Sequence, residues 1–104
     1  MDLGFDLSEI AEFNWDTGNL EHIKKHKVEY TECEEIFQNN PLLINQDETH
    51  SQIEVRYRAY GQTNQGRELV VIFTIRNNRI RIVSARDQTK RERGEFRVVG
   101  GENI

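Results

Sequence analysis

Seven of the 14 basic residues of this chain are arginines that fall between Arg56 and Arg86. A guanidinium stays charged at any working pH and presents a planar fork of donors that matches two oxygens of one phosphate. Arg56, Arg76 and Arg86 are therefore candidates for holding a phosphoryl group. Arg58, Arg81, Lys25, Lys90 and Arg91 are candidates for gripping the rest of an anionic substrate. His26 could move a proton near neutral pH, with Lys25 beside it supplying charge. His22 stands four residues before His26, a spacing that suits a metal on a helix, but no carboxylate or cysteine completes such a site and no metal is expected. His50 falls in a loop and points to no chemistry. The chain has no glycine-rich phosphate loop, zinc motif or Ser-His-Asp set, so no cofactor is expected. Each of these residues also has a plainer reading. A strand arginine can pair with Glu54 or Glu68 at the surface, and a histidine at a helix end can simply cap carbonyls.

The elements that must position these groups fit in one domain, because 104 residues bury one modest core. The single cysteine, Cys33, cannot form an internal disulfide. The first ten residues lack the basic start and apolar run of a signal peptide, and no stretch is long and apolar enough to span a bilayer. A cytoplasmic protein with no membrane contact is expected. The net charge of −4 hides a split. Residues 1–55 carry 13 acids against 3 lysines, whereas residues 56–104 carry 11 basic side chains against 5 acids. A nucleic-acid binder usually has a basic total, which this chain does not.

Residues 1–12 read as an N-terminal extension, 13–97 as the domain and 98–104 as a flexible tail. A helix is expected from Asp16 to about Lys27, with Asp16 at its N-terminus and Leu20 and Ile23 on one face. A second is expected from Thr31 to about Gln38, opened by a Thr31/Glu34 capping box and ended by Asn39-Asn40-Pro41. Cys33, Ile36 and Phe37 form its apolar stripe, so Cys33 reads as core rather than nucleophile. Four strands follow, at about 42–45, 53–60, 68–76 and 79–86. In the second, Glu54, Arg56, Arg58 and Tyr60 share one face. Residues 61–66 read as a hairpin loop, and Asn77-Asn78 as a two-residue turn that needs positive φ. Strict alternation puts Ile80, Ile82, Ser84 and Arg86 on one face of the fourth strand. Thr89 and Glu92 form a capping box for a C-terminal helix. The expected fold is α+β: two N-terminal helices, a four-stranded, mostly antiparallel sheet and a C-terminal helix.

A set of fragments in fixed order resembles a known family. They are Phe13-Asn14-Trp15-Asp16 with Asn19; Lys25-His26 with Val28 and Tyr30; Ile36-Phe37; Arg56; Gly66-Arg67-Glu68-Leu69-Val70-Val71; Phe73-Thr74-Ile75-Arg76; and Arg81-Ile82-Val83-Ser84-Ala85-Arg86 with Lys90-Arg91-Glu92. Over about residues 13–96 the chain is similar to the BrnT toxins. That resemblance implies a compact RelE-like fold and a toxin that cuts RNA and halts translation. It also implies a cognate BrnA-like antitoxin that silences the toxin and alone contacts operator DNA. Two positions depart from the family pattern: Lys27 stands where glycine is usual, and Phe96 where a tyrosine is frequent.

Metal-free RNA cleavage needs a base for the ribose 2′-hydroxyl, an acid for the leaving 5′-oxygen and donors for the charge that builds on phosphorus. The residues offered for these roles are His26 with Arg56, Arg76 and Arg86. Arg76 sits beside the Asn77-Asn78 turn and Arg86 at the far end of its strand, so the two need not be neighbours. Arg86 and Lys90 could instead form an anion pocket at the start of the last helix. Glu92 could act as a base, though capping suffices to explain it. The rival function is a toxin-derived binding module that pairs with a DNA-binding antitoxin and repressor.

Overall fold

The computed structural model describes residues 12–48 and 54–99. Expectations for residues 1–11, for His50 and Ile53, and for residues 100–104 lie outside that range.

The sheet begins before the first helix. Phe13–Asn14 forms a short strand, β1, and is followed by helix α1 (Thr17–Lys24) and helix α2 (Tyr30–Ile36). Four more strands come next: β2 (Leu43–Gln46), β3 (Tyr57–Gln62), β4 (Glu68–Arg76) and β5 (Arg79–Asp87), and then helix α3 (Lys90–Val99). The sheet has five strands, ordered β1-β5-β4-β3-β2. This corrects the expected four-stranded sheet. β1 adds a fifth strand that runs parallel to β5, pairing Phe13 with Ile80 and Asn14 with Arg81. The other pairings are antiparallel.

Local chemistry sets the boundaries. Asp16 caps α1: its carboxylate accepts from the Asn19 N–H at 3.1 Å, while the Asn19 side chain accepts from the Asp16 N–H at 2.8 Å. α2 starts one residue earlier than expected, because Glu32 rather than Glu34 reaches back, accepting from the Glu29 N–H at 3.0 Å. Asn77 and Asn78 both take positive φ, 51° and 61°, the geometry of a tight turn that follows the sheet's twist. Thr89 and Glu92 cap α3 reciprocally. That helix runs through Val98 and Val99, past the boundary drawn at residue 97.

One face of the sheet carries the main core. Leu69, Val71 and Phe73 of β4, Tyr57 and Ala59 of β3, and Ile80, Ile82 and Ala85 of β5 pack against Ile23 of α1 and Cys33 and Ile36 of α2. Burial pushes the Cys33 thiol up to about 12, so it is an inert core group. Gly61 is part of β3 rather than of the loop. A Cβ there would stand 2.8 Å from the Ile36 Cβ, so glycine is what lets α2 approach.

Strict alternation fails in β5, and the cause is a bulge. Ile72 pairs with Ser84 but the next β4 residue, Phe73, pairs with Ile82, so Val83 has no partner. Ile82 and Ala85 thus both face the core, and Arg81, Ser84 and Arg86 share the second face. This corrects the expected grouping of Ile80 and Ile82 with Ser84 and Arg86. β3 and β4 add Arg58, Tyr60, Ile72, Thr74 and Arg76 to the second face. α3 covers one end of it, where Val70 and Phe96 are buried.

Candidate active site

An open depression of about 200 Å³ lies where the β4–β5 end of the sheet meets the first turns of α1. Gly18, Asn19 and His22 line it from the helix, and Glu54, Arg56, Arg76, Arg81, Ile82 and Val83 from the sheet. Asn19 fixes the helix in place. Its side-chain amide donates to the Asn14 and Ile82 carbonyls, each at 2.9 Å, and it is buried. The Thr74 hydroxyl donates to the Val55 carbonyl at 2.7 Å and ties the segment bearing Glu54 and Arg56 to β4.

Glu54 is the centre of the charge pattern. Arg76 donates to both its oxygens, from Nε at 3.1 Å and from Nη2 at 2.9 Å, and Arg56 Nη2 stands 3.9 Å away. The Arg76 hydrogen bonds chiefly hold the Glu54 carboxyl below the usual glutamate range; burial opposes them, and the charges of Arg76, Arg56 and Arg81 add to the lowering. Arg81 is the most buried of the three arginines. It donates to the Asn14 side-chain oxygen and pairs with Asp16 at 2.9 Å, and this contact is the main reason the Asp16 carboxyl is lowered too. His22 is exposed on the rim.

Three of the candidates, Arg56, Arg76 and Arg81, thus line one site, and the structure adds Glu54 and His22 to them. Arg86 lies elsewhere. It forms a two-pronged pair with Glu92, at 2.7 and 3.2 Å, which places a carboxylate where the helix-start anion pocket was expected. Lys90 and Arg91 are exposed on the first turn of α3, and Arg91 pairs with Glu95. Arg58 is on the second face between the two ends and does not line the depression. Lys25 and His26 are exposed in the turn that closes α1. The His26 and Lys27 carbonyls there accept from Arg67, which also pairs with Glu32 and Asp87.

The expected strand over 53–60 made Glu54 a face-mate of Arg56, but β3 begins only at Tyr57, and Glu54 and Arg56 lie in the segment before it, which the Thr74 hydroxyl ties to β4 at Val55. His22 carried no such signal, because only the docking of α1 on β5 brings it to the arginines. The two departures are also placed. Lys27 adopts the left-handed conformation itself, at φ 57°. Phe96 is the buried residue of α3 and lies outside the depression. Among the described residues no helix is long and apolar enough to cross a membrane, and no cluster of three or more potential metal-ligating side chains occurs.

No curated protein sequence matches the chain. A family model does, over residues 15–92, described as the ribonuclease toxin, BrnT, of type II toxin-antitoxin systems. The match runs from Trp15 to Glu92, taking in α1, the five residues just named around the depression and the cap of α3, so the chain belongs to the BrnT family of ribonuclease toxins.

Proposed function

We propose that this chain is a cytoplasmic endoribonuclease toxin that cuts RNA without a metal and so inhibits translation, using the depression around Glu54. The observation that carries the reading is one carboxylate shared by arginines in an open, histidine-rimmed site. Arg56, Arg76 and Arg81 hold the scissile phosphate and offset the charge that grows on it. Glu54 takes the 2′-hydroxyl proton. The 2′-oxygen forms its bond to phosphorus as the bond to the 5′-oxygen breaks, and the imidazolium of His22 protonates that oxygen. An arriving phosphate competes for Arg76 and Arg56, which loosens their hold on Glu54 and makes it a better base as substrate binds. Arginines supply the positive charge that a metal would otherwise bring. Residues 13–97 form the toxin domain, and a cognate BrnA-like antitoxin silences it and makes any contact with DNA.

The test is RNA cleavage in the presence of a chelator by the native chain, Glu54→Gln and Arg76→Ala. The native chain should leave 2′,3′-cyclic phosphate and 5′-hydroxyl ends, arrest growth on induction, and lose both effects in either folded variant. Intact RNA after incubation with folded native chain would sink the nuclease reading. A catalytically weak, antitoxin-binding module is the second reading, favoured because Glu54 and Asp16 already engage the arginines of the site.

A further inference from the structure

Arg58 is set apart from the other arginines between positions 56 and 86. Arg56, Arg67, Arg76, Arg79, Arg81 and Arg86 each face a carboxylate within 4 Å. Arg58 has no such pair among the described residues, and its Nε is buried without a hydrogen-bond partner. Its cross-strand neighbour Asn45 is in the complementary position: directly opposite on β2, with a buried side-chain oxygen that also lacks a partner. Cross-strand neighbours point to the same face. One donor and one acceptor thus stand unused side by side, and leaving such groups unmet is costly.

An aromatic flanks them. Tyr60 is the next β3 residue on that face, half-buried, and within electrostatic reach of Arg58, Arg86, Glu92 and Glu95. In the other direction the chain runs back from Arg58 to Arg56, which lies just before β3 and lines the depression. Successive same-face residues of a strand are about 7 Å apart. Arg58 is one such step from Arg56 and Tyr60 one step further, so a phosphate held at Arg56 and a base whose edge meets Arg58 can belong to adjoining nucleotides.

We propose that Asn45, Arg58 and Tyr60 form a subsite for the nucleobase next to the scissile phosphate, and that the base it selects is guanine. The inference rests on the nuclease reading above and extends it to sequence preference. Single-stranded RNA is read by stacking a base on an aromatic ring and hydrogen-bonding its edge. The Arg58 fork has two donors, which match the adjacent O6 and N7 acceptors that guanine alone presents. The Asn45 oxygen accepts from the N1 proton on the neighbouring edge. Pyrimidines offer neither the double acceptor nor the larger stacking surface.

The test is an NMR titration of the full chain with guanosine 5′-monophosphate, uridine 5′-monophosphate and inorganic phosphate, repeated on Arg58→Ala and Arg58→Lys. The guanine nucleotide should bind about tenfold tighter than the uracil nucleotide, as one good bidentate contact predicts. Its binding should shift the Tyr60 ring protons upfield and move the Arg58 Nε–H signal. Both variants should lose the preference while binding inorganic phosphate as before. Lysine keeps the charge but not the fork, so retained preference in Arg58→Lys overturns the proposal. So does a native chain that binds both nucleotides equally. The titration does not depend on cleavage. A chain that prefers guanine but leaves RNA intact supports the subsite and sinks the nuclease, and a chain that cuts RNA without base preference does the reverse.

Discussion

The two ends of the sheet's second face use the same side chains to opposite effect. Under α3, Arg86 pairs with Glu92 and Arg97 with Glu68, the latter at 2.7 and 2.9 Å, while Arg93 donates to the Gln88 carbonyl at 2.7 Å. Phe96 closes that end. At the other end Arg76 and Arg56 both stand by Glu54, at 2.9 and 3.9 Å, and together with Arg81 they line a concavity that is open among the described residues. One-to-one pairing under a helix clamps two elements together. Arginines gathered around one carboxylate in an open concavity can turn to an incoming anion. An arginine-rich strand therefore says little until the carboxylates around it have been assigned.

The largest expected contrast comes from truncating one arginine at each end. Arg76→Ala should slow single-turnover RNA cleavage by about 10²-fold or more, the scale of losing a preorganised charge donor. Arg86→Ala should change cleavage by less than about threefold, since removing an ion pair away from the reacting phosphate costs stability rather than rate. Equal losses in the two variants would erase the distinction between the ends. Next comes Phe96→Ala, which should lower unfolding free energy in urea by about 3 kcal/mol, as for other buried phenylalanines. Phosphate binding at the open end should survive wherever the variant is folded.

Acid acts on carboxyls at both ends, and the largest lowering is under α3. Glu92 is pulled from 4.5 to about 2, chiefly by its hydrogen bonds to Arg86. A carboxyl lowered on folding adds stability that is complete above its unfolded value and is lost as pH falls toward the folded one. Melting temperature followed from pH 5 to pH 2 should fall more steeply in the native chain than in Glu92→Gln. Smallest is a control at neither end. Lys27 holds a left-handed φ, so Lys27→Gly should raise stability by about 1 kcal/mol with cleavage unchanged. A drop in stability would show that packing of the Lys27 side chain outweighs the backbone cost.

What could be read from the sequence was whatever local chemistry decides. Asp16, the Asn77-Asn78 turn and the Thr89/Glu92 box act within a few residues, and their structures follow their types. The strand at Phe13–Asn14 is too short for any period to show and exists only because β5 lies alongside. The site was half legible. Its arginines were visible by type, whereas Glu54 was expected on a strand that begins only at Tyr57. The gathering of Arg56, Arg76 and Arg81, apart from Arg86 and with His22 added, depends on strand order and helix docking, which no local pattern encodes.

The unpaired Val83 has an effect that outruns its size. A strand counts its residues in twos, and one extra residue changes odd to even for everything after it. Arg81 and Arg86 are an odd number of positions apart, yet they share a face because Val83 resets the count between them. Deleting that single valine would remove the bulge and leave every pairing as it is, whereas drawing Val83 into regular register would turn Arg86 toward the apolar layer and Ala85 out of it, without altering one charge in the sequence. The bulge thus acts as a frame marker: it lets one strand present Arg81 at the depression and Arg86 under α3 on the same face.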